Sequence, residues 1–153
     1  MPKSRKRFQE LMVASGRDVA TSRAVVRAIG TGVRITRELN DALAPAGLTT
    51  QQFLVLMELA SSEDGTRPLH ELMERAQRSA PNMSALISRM ERAGLVRKRR
   101  DADDQRVLSV EITEAGWTKL GEGAPLLISA EKELVSGLTR PELAELASLL
   151  SKL

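Results

Sequence analysis

The binding of a polyanion is the chemistry that residue type and spacing indicate most strongly. Between Arg75 and Arg106 the chain carries nine basic and four acidic residues, although its formal net charge is only +3. The excess charge is therefore concentrated in this segment, and the rest of the chain is slightly acidic. Clustered lysine and arginine are typical of nucleic-acid binding, although a solvated surface can carry the same charge by chance.

Several other kinds of chemistry are excluded by the composition. The chain has no cysteine and a single histidine, His70, which rules out disulfides, thiol redox sensing, thiolate catalysis and multi-histidine metal sites. We find no nucleophile–base pair and no phosphate-binding loop, so we expect neither an enzyme nor a cofactor. Aromatic residues make up 2% of the chain, too few to stack on single-stranded nucleic acid.

The length of 153 residues suits one domain, or one compact module with dimerisation arms. No apolar run is long enough to span a bilayer. The basic start is not followed by an uninterrupted apolar signal core. We therefore expect a cytoplasmic protein.

Helical signals precede the cationic segment. Apolar residues at helical spacing predict a long helix over 25–43. A basic N-terminal arm precedes it, and a short helix within this arm is one alternative. Thr49 and Gln52 form a capping box that opens the next helix. We predict a loop over 61–67 and place Pro68 in the first turn of a third helix.

The cationic segment itself predicts a helix followed by two strands. Ser79 is a suitable N-cap, and Gly94 a suitable helix end. The helix between them has an apolar stripe of Met83, Leu86, Ile87 and Met90. Residues 96–100 and 107–112 then read as strands joined by a polar turn.

Two further helices follow, the first opened by Thr113 and the second by a capping box of Thr139 and Glu142. The second carries a leucine stripe that includes Leu146. The predicted fold is mainly α with a small β wing, a winged helix-turn-helix in the order α-α-α-α-β-β-α-α.

Two short helices followed at once by a basic hairpin suit duplex DNA. The second helix can enter the major groove, about 12 Å wide, while the hairpin reaches flanking phosphates or the minor groove. Ser79, Asn82 and Ser84 are the short polar residues that such a helix needs early. Ser79 as a simple helix cap and Asn82 as a solvated side chain remain the alternatives.

Particular residue runs extend this pattern. They are Leu43 to Thr49, Leu72 with Ala76, Ser79 to Val96, the segment 97–106 with its Asp104-Gln105-Arg106, and Val110 to Gly116. Over roughly residues 22–152 the chain resembles the MarR family of transcription regulators. One departure is Ala85, where relatives often carry arginine.

The resemblance implies a homodimer that reads a near-palindromic double-stranded operator, most simply as a repressor. The implied organisation is a basic N-terminal arm over 1–20, a dimerisation helix over 21–47, a winged DNA-binding lobe over 48–112, and dimerisation helices over 113–153. Arg106 is expected in the minor groove, with Asp104 orienting it.

The candidate DNA-binding residues come from the recognition helix and the wing. They are Ser79, Asn82, Ser84, Arg89, Lys98, Arg99, Arg100, Asp104 and Arg106. Surface ion pairing is the alternative for Arg89, and solvated charge is the alternative for the wing cations.

A small aromatic or anionic effector is also implied by the resemblance. Arg34 and Arg37 are candidate anion ligands, and His70 is a third candidate that can equally be a capping or core histidine. Two other functions stay open at this point: an effector-independent architectural DNA-binding protein, and a helical protein-interaction module.

Overall fold

The computed structural model describes residues 3–16, 18–75, 80–100 and 107–152. Contacts between Cα atoms divide the chain into two units, residues 1–37 and residues 38–153. The long second helix runs from the first unit into the second. No helix in the described part of the chain is both long enough and apolar enough to cross a membrane.

The first unit contains helix α1 (Lys3–Ala14) and most of helix α2 (Val19–Leu43). Asp18 begins α2, because its carboxylate accepts the backbone N–H groups of Ala20 and Thr21 at 3.3 and 2.7 Å. The hydrogen bonds from Thr21 also lower the pKa of Asp18. The apolar side chains in the part of α2 that belongs to the first unit are exposed, including Val25, Val26, Ile29 and Val33.

The second unit holds the remaining elements, joined to α2 by a 3-10 turn over Ala44–Ala46. In chain order they are α3 (Thr50–Ala60), β1 (Thr66–Pro68), α4 (Leu69–Arg75), α5 (Ala80–Arg92), β2 (Val96–Arg100), β3 (Leu108–Ile112), α6 (Glu114–Leu134) and α7 (Arg140–Leu150).

Both predicted capping boxes are confirmed. The N–H of Gln52 donates to the hydroxyl of Thr49 at 3.3 Å, and the side chain of Gln52 accepts the N–H of Thr49 at 2.9 Å. At the start of α7, Glu142 accepts both the N–H and the hydroxyl of Thr139 at 2.7 Å. Asn40, ten residues before Thr50 in the chain, also supports the start of α3, because its side-chain oxygen accepts the N–H of Thr50 at 2.8 Å.

The core of the second unit is formed by α3, α4, α5, β2 and β3, with α6 packed against α3. Its fully buried side chains are Leu43, Leu56, Leu59, Leu72, Met83, Ile87, Met90, Val96 and Val110. Each such side chain contributes roughly 1.5–3 kcal/mol by leaving water. This burial holds α5 in place from its inner side.

Two predictions are wrong where they meet, at residues 66–68. These residues were expected to end the loop over 61–67 and to begin a helix at Pro68, but they form neither. Thr66–Pro68 forms a strand that pairs antiparallel with Ser109–Glu111, so the sheet has the order β1-β3-β2 instead of two strands. The pairing begins where the N–H of Ile112 donates to the carbonyl of Gly65 at 3.0 Å. The helix then starts at Leu69, immediately after Pro68.

Arg67 secures this junction. Its Nε donates to the backbone carbonyl of Glu58 at 2.7 Å, and its Nη2 donates to the hydroxyl of Ser61 at 3.0 Å. The last carbonyls of a helix lack partners within the helix. Arg67 therefore caps the end of α3 from the adjacent strand.

Candidate nucleic-acid interface

Helix α5 has an apolar face in the core and a polar face in solvent. Met83, Ile87 and Met90 have no measurable exposure. Asn82, Ser84 and Arg89 are exposed, as predicted, and so is Ala85 at the position where relatives often carry arginine. Ser79, the first predicted groove residue, lies outside the described residues.

Strand β2 follows α5 after a three-residue turn and carries four consecutive cations. The turn is fixed by Thr113, whose hydroxyl donates to the carbonyl of Gly94 at 2.6 Å. Side chains alternate between the faces of a strand. Lys98 therefore lies on the face of buried Val96, and Arg97 and Arg99 lie on the other.

Arg97 and Arg99 share one carboxylate. The Nη2 of Arg97 lies 3.1 Å from one oxygen of Glu111 on β3, and the Nη1 of Arg99 lies 3.1 Å from the other. The hydrogen bond from Arg97 lowers the pKa of Glu111, and that from Arg99 adds to the effect, while burial opposes it. Both arginine side chains remain more than 60% exposed.

Lys98 is held from the other side by α5. Its Nζ lies 2.9 Å from Oε2 of Glu91 and donates to the hydroxyl of Ser88 at 2.9 Å. Its backbone N–H donates to Oε1 of Glu91 at 3.1 Å. These contacts lower the pKa of Glu91, chiefly through the hydrogen bond from the Lys98 side chain.

Glu91 and Glu111 were therefore missed as members of the site. For Glu111 a signal existed, because it stands on the polar face of a strand predicted to pair with the cationic one. For Glu91 none existed, since its contact with Lys98 depends on how α5 packs against β2.

The remaining wing residues divide between described and undescribed parts of the chain. Arg100 is exposed at the end of β2. Asp104 and Arg106 fall within 101–106, outside the described residues.

The predicted effector ligands are exposed. Arg34 and Arg37 lie on α2 in the first unit, and His70 lies in the first turn of α4 in the second. The alternative of a core histidine at His70 is therefore wrong. A separate cavity of about 210 Å³ between α3 and α4 is lined by none of the three. Its lining residues are Gln51, Leu54, Val55, Met57, Glu58, Leu72 and Arg75.

The comparison with known proteins agrees with this geometry. The model of the MarR family matches residues 46–107. The HTH-type transcriptional regulator FarR of Neisseria gonorrhoeae is 30% identical over 119 residues, covering 73% of this chain and 80% of that protein. The homoprotocatechuate degradative operon repressor of Escherichia coli is 29% identical over 105 residues, covering 69% and 70%.

Solved structures share the fold. Sco3205, a MarR family transcriptional regulator from Streptomyces coelicolor in complex with DNA, aligns with a TM-score of 0.81 at 24% identity, over 88% of this chain and 86% of that one. The organohalide-sensing regulator RdhR-CbdbA1625, in its 2,4-dichlorophenol-bound form, aligns with a TM-score of 0.81 at 24% identity, over 90% and 80%. The chain belongs to the MarR family, and it is a winged helix-turn-helix DNA-binding transcription regulator.

Proposed function

We propose that this chain is a homodimeric repressor that binds a near-palindromic double-stranded operator and that a small aromatic or anionic effector modulates its DNA affinity. The observation that carries the proposal is the two-sided character of α5. One face is anchored in the core through Met83, Ile87 and Met90, and the opposite face presents Asn82, Ser84 and Arg89 beside a cationic strand.

A helix held in this way can lie in the major groove without leaving its own core. The amide of Asn82 suits bidentate pairing with adenine, and Ser84 can pair with several base edges. We assign Ser79 and Arg89 to the DNA backbone, or to base edges next to those that Asn82 and Ser84 contact. The wing cations Arg99 and Arg100 are assigned to flanking phosphates.

The wing tip completes the contact in this proposal. Arg106 enters the adjacent minor groove, and Asp104 orients its guanidinium. Minor-groove arginines read the width and electrostatic potential of the groove more than base identity. This contact therefore adds affinity and a preference for narrow, A·T-rich flanks.

Dimerisation accounts for the exposed apolar residues of the outer helices. Val25 and Ile29 on α2, and Leu146, Leu149 and Leu150 on α7, are exposed in the single chain. We assign 21–47 and 113–153 to the dimer interface. A two-fold dimer would place its two recognition helices one DNA turn apart, about 34 Å.

An effector would act by changing the spacing of the two lobes. It shifts the population only if it binds the two spacings with different affinities. The relative that binds 2,4-dichlorophenol supports a small aromatic ligand. Arg34 and Arg37 are the proposed contacts for the polar group of the effector, and His70 is a separate candidate ligand. The chain acts by binding, without catalysis, in the bacterial cytoplasm where the chromosome lies.

The test begins with selection of duplexes from a random-sequence pool by the purified full chain. We expect enrichment of an inverted repeat, with an affinity that falls about a hundredfold or more between about 50 and 200 mM salt. A pool that stays unenriched would contradict the proposal and favour a protein-interaction module. Affinity unmoved by a panel of phenols and benzoates would leave an effector-independent architectural protein as the better description.

A further inference from the structure

We propose that Glu91 and Lys98 form a clamp that fixes the wing relative to the recognition helix α5, so that Lys98 positions the wing instead of contacting DNA phosphate. The proposal rests on the proposed function and deepens it. It removes Lys98 from the DNA-contacting residues and adds Glu91 to the residues on which DNA binding depends.

Three hydrogen bonds join Lys98 to one face of α5. Oε1 of Glu91 accepts the backbone N–H of Lys98 at 3.1 Å, and Oε2 accepts its Nζ at 2.9 Å. Nζ also donates to the hydroxyl of Ser88 at 2.9 Å. Ser88 and Glu91 are three residues apart and therefore share one helix face.

The backbone contact shows why the glutamate is placed here. Strand β2 lies at the edge of the sheet order β1-β3-β2, and Lys98 is paired with Val110 of β3 on its inner side only. An N–H on the outer side of an edge strand has no ladder partner. Glu91 supplies that partner from the helix, as a neighbouring strand would.

The ammonium group of Lys98 is already paired with the carboxylate of Glu91. The side chains of Lys98 and Glu91 are 27% and 39% exposed, so solvent screens this pair less than a fully exposed pair. A phosphate would have to compete with a carboxylate already at hydrogen-bond distance. Arg99 differs, because it is 61% exposed and shares its carboxylate with a second arginine.

The position of the clamp along β2 determines which motion of the wing it restricts. Lys98 lies two residues before the end of β2, and residues 101–106 follow directly. The turn 93–95 is the covalent link between α5 and β2. Val96 at the start of β2 is buried in the core, and an attachment two residues later in the strand further limits how the wing can rotate about that turn.

The test compares Glu91→Ala with Glu91→Gln in the full chain, using the duplex that the unaltered protein selects from a random pool. Both substitutions remove one negative charge, but glutamine keeps a carbonyl that can accept the Lys98 N–H. The clamp predicts that alanine weakens binding about tenfold, while glutamine stays within about threefold, which is the scale of coupling between neighbouring residues. Charge removal alone would make both variants bind more tightly.

Lys98→Met supplies the second measurement. We expect the log–log salt slope to stay unchanged, whereas loss of a phosphate contact would reduce it by about 1. Lys98→Met should also add little to Glu91→Ala in the double variant. Titration of each variant at stoichiometric DNA gives its active fraction, which separates weakened binding from misfolding.

Amide hydrogen exchange tests the clamp without DNA. The Lys98 amide should be protected in the unaltered protein and in Glu91→Gln, and should lose protection in Glu91→Ala. Equal exchange in all three, tighter binding by Glu91→Ala, or a reduced slope in Lys98→Met would each overturn the clamp. A chain that enriches no duplex, but shows the expected exchange pattern, would overturn the proposed function and the positioning role while the contact itself stands.

Discussion

Gly116 in α6 packs directly against the backbone of Leu95, in the turn that joins the recognition helix to the wing. A Cβ added at Gly116 would overlap the carbonyl oxygen of Leu95 and would lie 2.8 Å from the side chain of Ile112. The neighbour is backbone that is itself fixed, because the carbonyl of Leu95 accepts the N–H of Thr113 at 3.1 Å. Helix α6 can therefore approach the DNA-binding elements this closely only with glycine at this position.

Gly116→Ala should lower the free energy of unfolding by about 3 kcal/mol, the upper part of the range for an overpacked core, since backbone must move. Urea unfolding followed by circular dichroism measures the change. Gly121→Ala is the control, because nothing lies within 4 Å of a Cβ there. That variant should be neutral or more stable by up to about 1 kcal/mol, from helix propensity. Equal effects at the two glycines would contradict this packing.

The Glu111 carboxylate should make the stability of the wing depend on pH. Arg97, and then Arg99, lower the pKa of Glu111 below its ordinary value of 4.5. A carboxylate with a lowered pKa in the folded state stabilises the fold above its unfolded pKa, and this stability is lost as the pH falls through the folded pKa. We expect a constant contribution from pH 7 down to about 5, and a loss below about 4.5.

Glu111→Gln should flatten this dependence. The measurement is the urea midpoint between pH 3 and 7, compared with Glu145→Gln on the exposed surface of α7. If Glu111→Gln loses stability below pH 4.5 as steeply as the unaltered protein, the shared carboxylate does not contribute to it.

Arg106→Ala should weaken DNA binding and reduce the log–log salt slope by about 1, because one cation leaves the interface. Fluorescence anisotropy over a series of salt concentrations gives both quantities. Arg106→Lys retains the charge and should restore the slope, even where affinity stays below that of the unaltered protein. An unchanged slope and affinity in Arg106→Ala would remove the wing tip from the mechanism.

Leu146→Asp should yield monomers that lose binding to an inverted repeat. Leu146 is 41% exposed in the single chain, and burying a charge at an apolar interface is unfavourable. Light scattering at micromolar concentration measures the mass. Ser148→Asp, on the opposite side of α7, should remain dimeric. Dimers of Leu146→Asp would show that the interface lies elsewhere.

The features that could be predicted from the sequence depend on residues close together in the chain. The capping boxes at Thr49 and Thr139 each involve partners three residues apart, and the structure contains both. The exposed positions of Asn82 and Ser84 follow from helical periodicity in the same way. These local signals were sufficient to locate the recognition helix and the start of α7.

The features that escaped prediction depend on partners far apart in the chain. Thr66 pairs with Glu111, and three residues are too few to show strand alternation. Counting charges over the cationic segment left out Glu111, which neutralises part of that charge from the facing strand. Tertiary packing, which no local pattern reveals, decides both.

The order β1-β3-β2 also bears on how this sheet behaves at high concentration. One outer strand has three residues and ends in Pro68, which has no N–H to offer. On the other outer strand, the side chain of Glu91 accepts a hydrogen bond from the backbone N–H of Lys98. Open strand edges are templates for pairing with another chain, and short, proline-bearing or covered edges resist it. In the described part of the sheet, both borders therefore carry features that oppose amyloid-like growth.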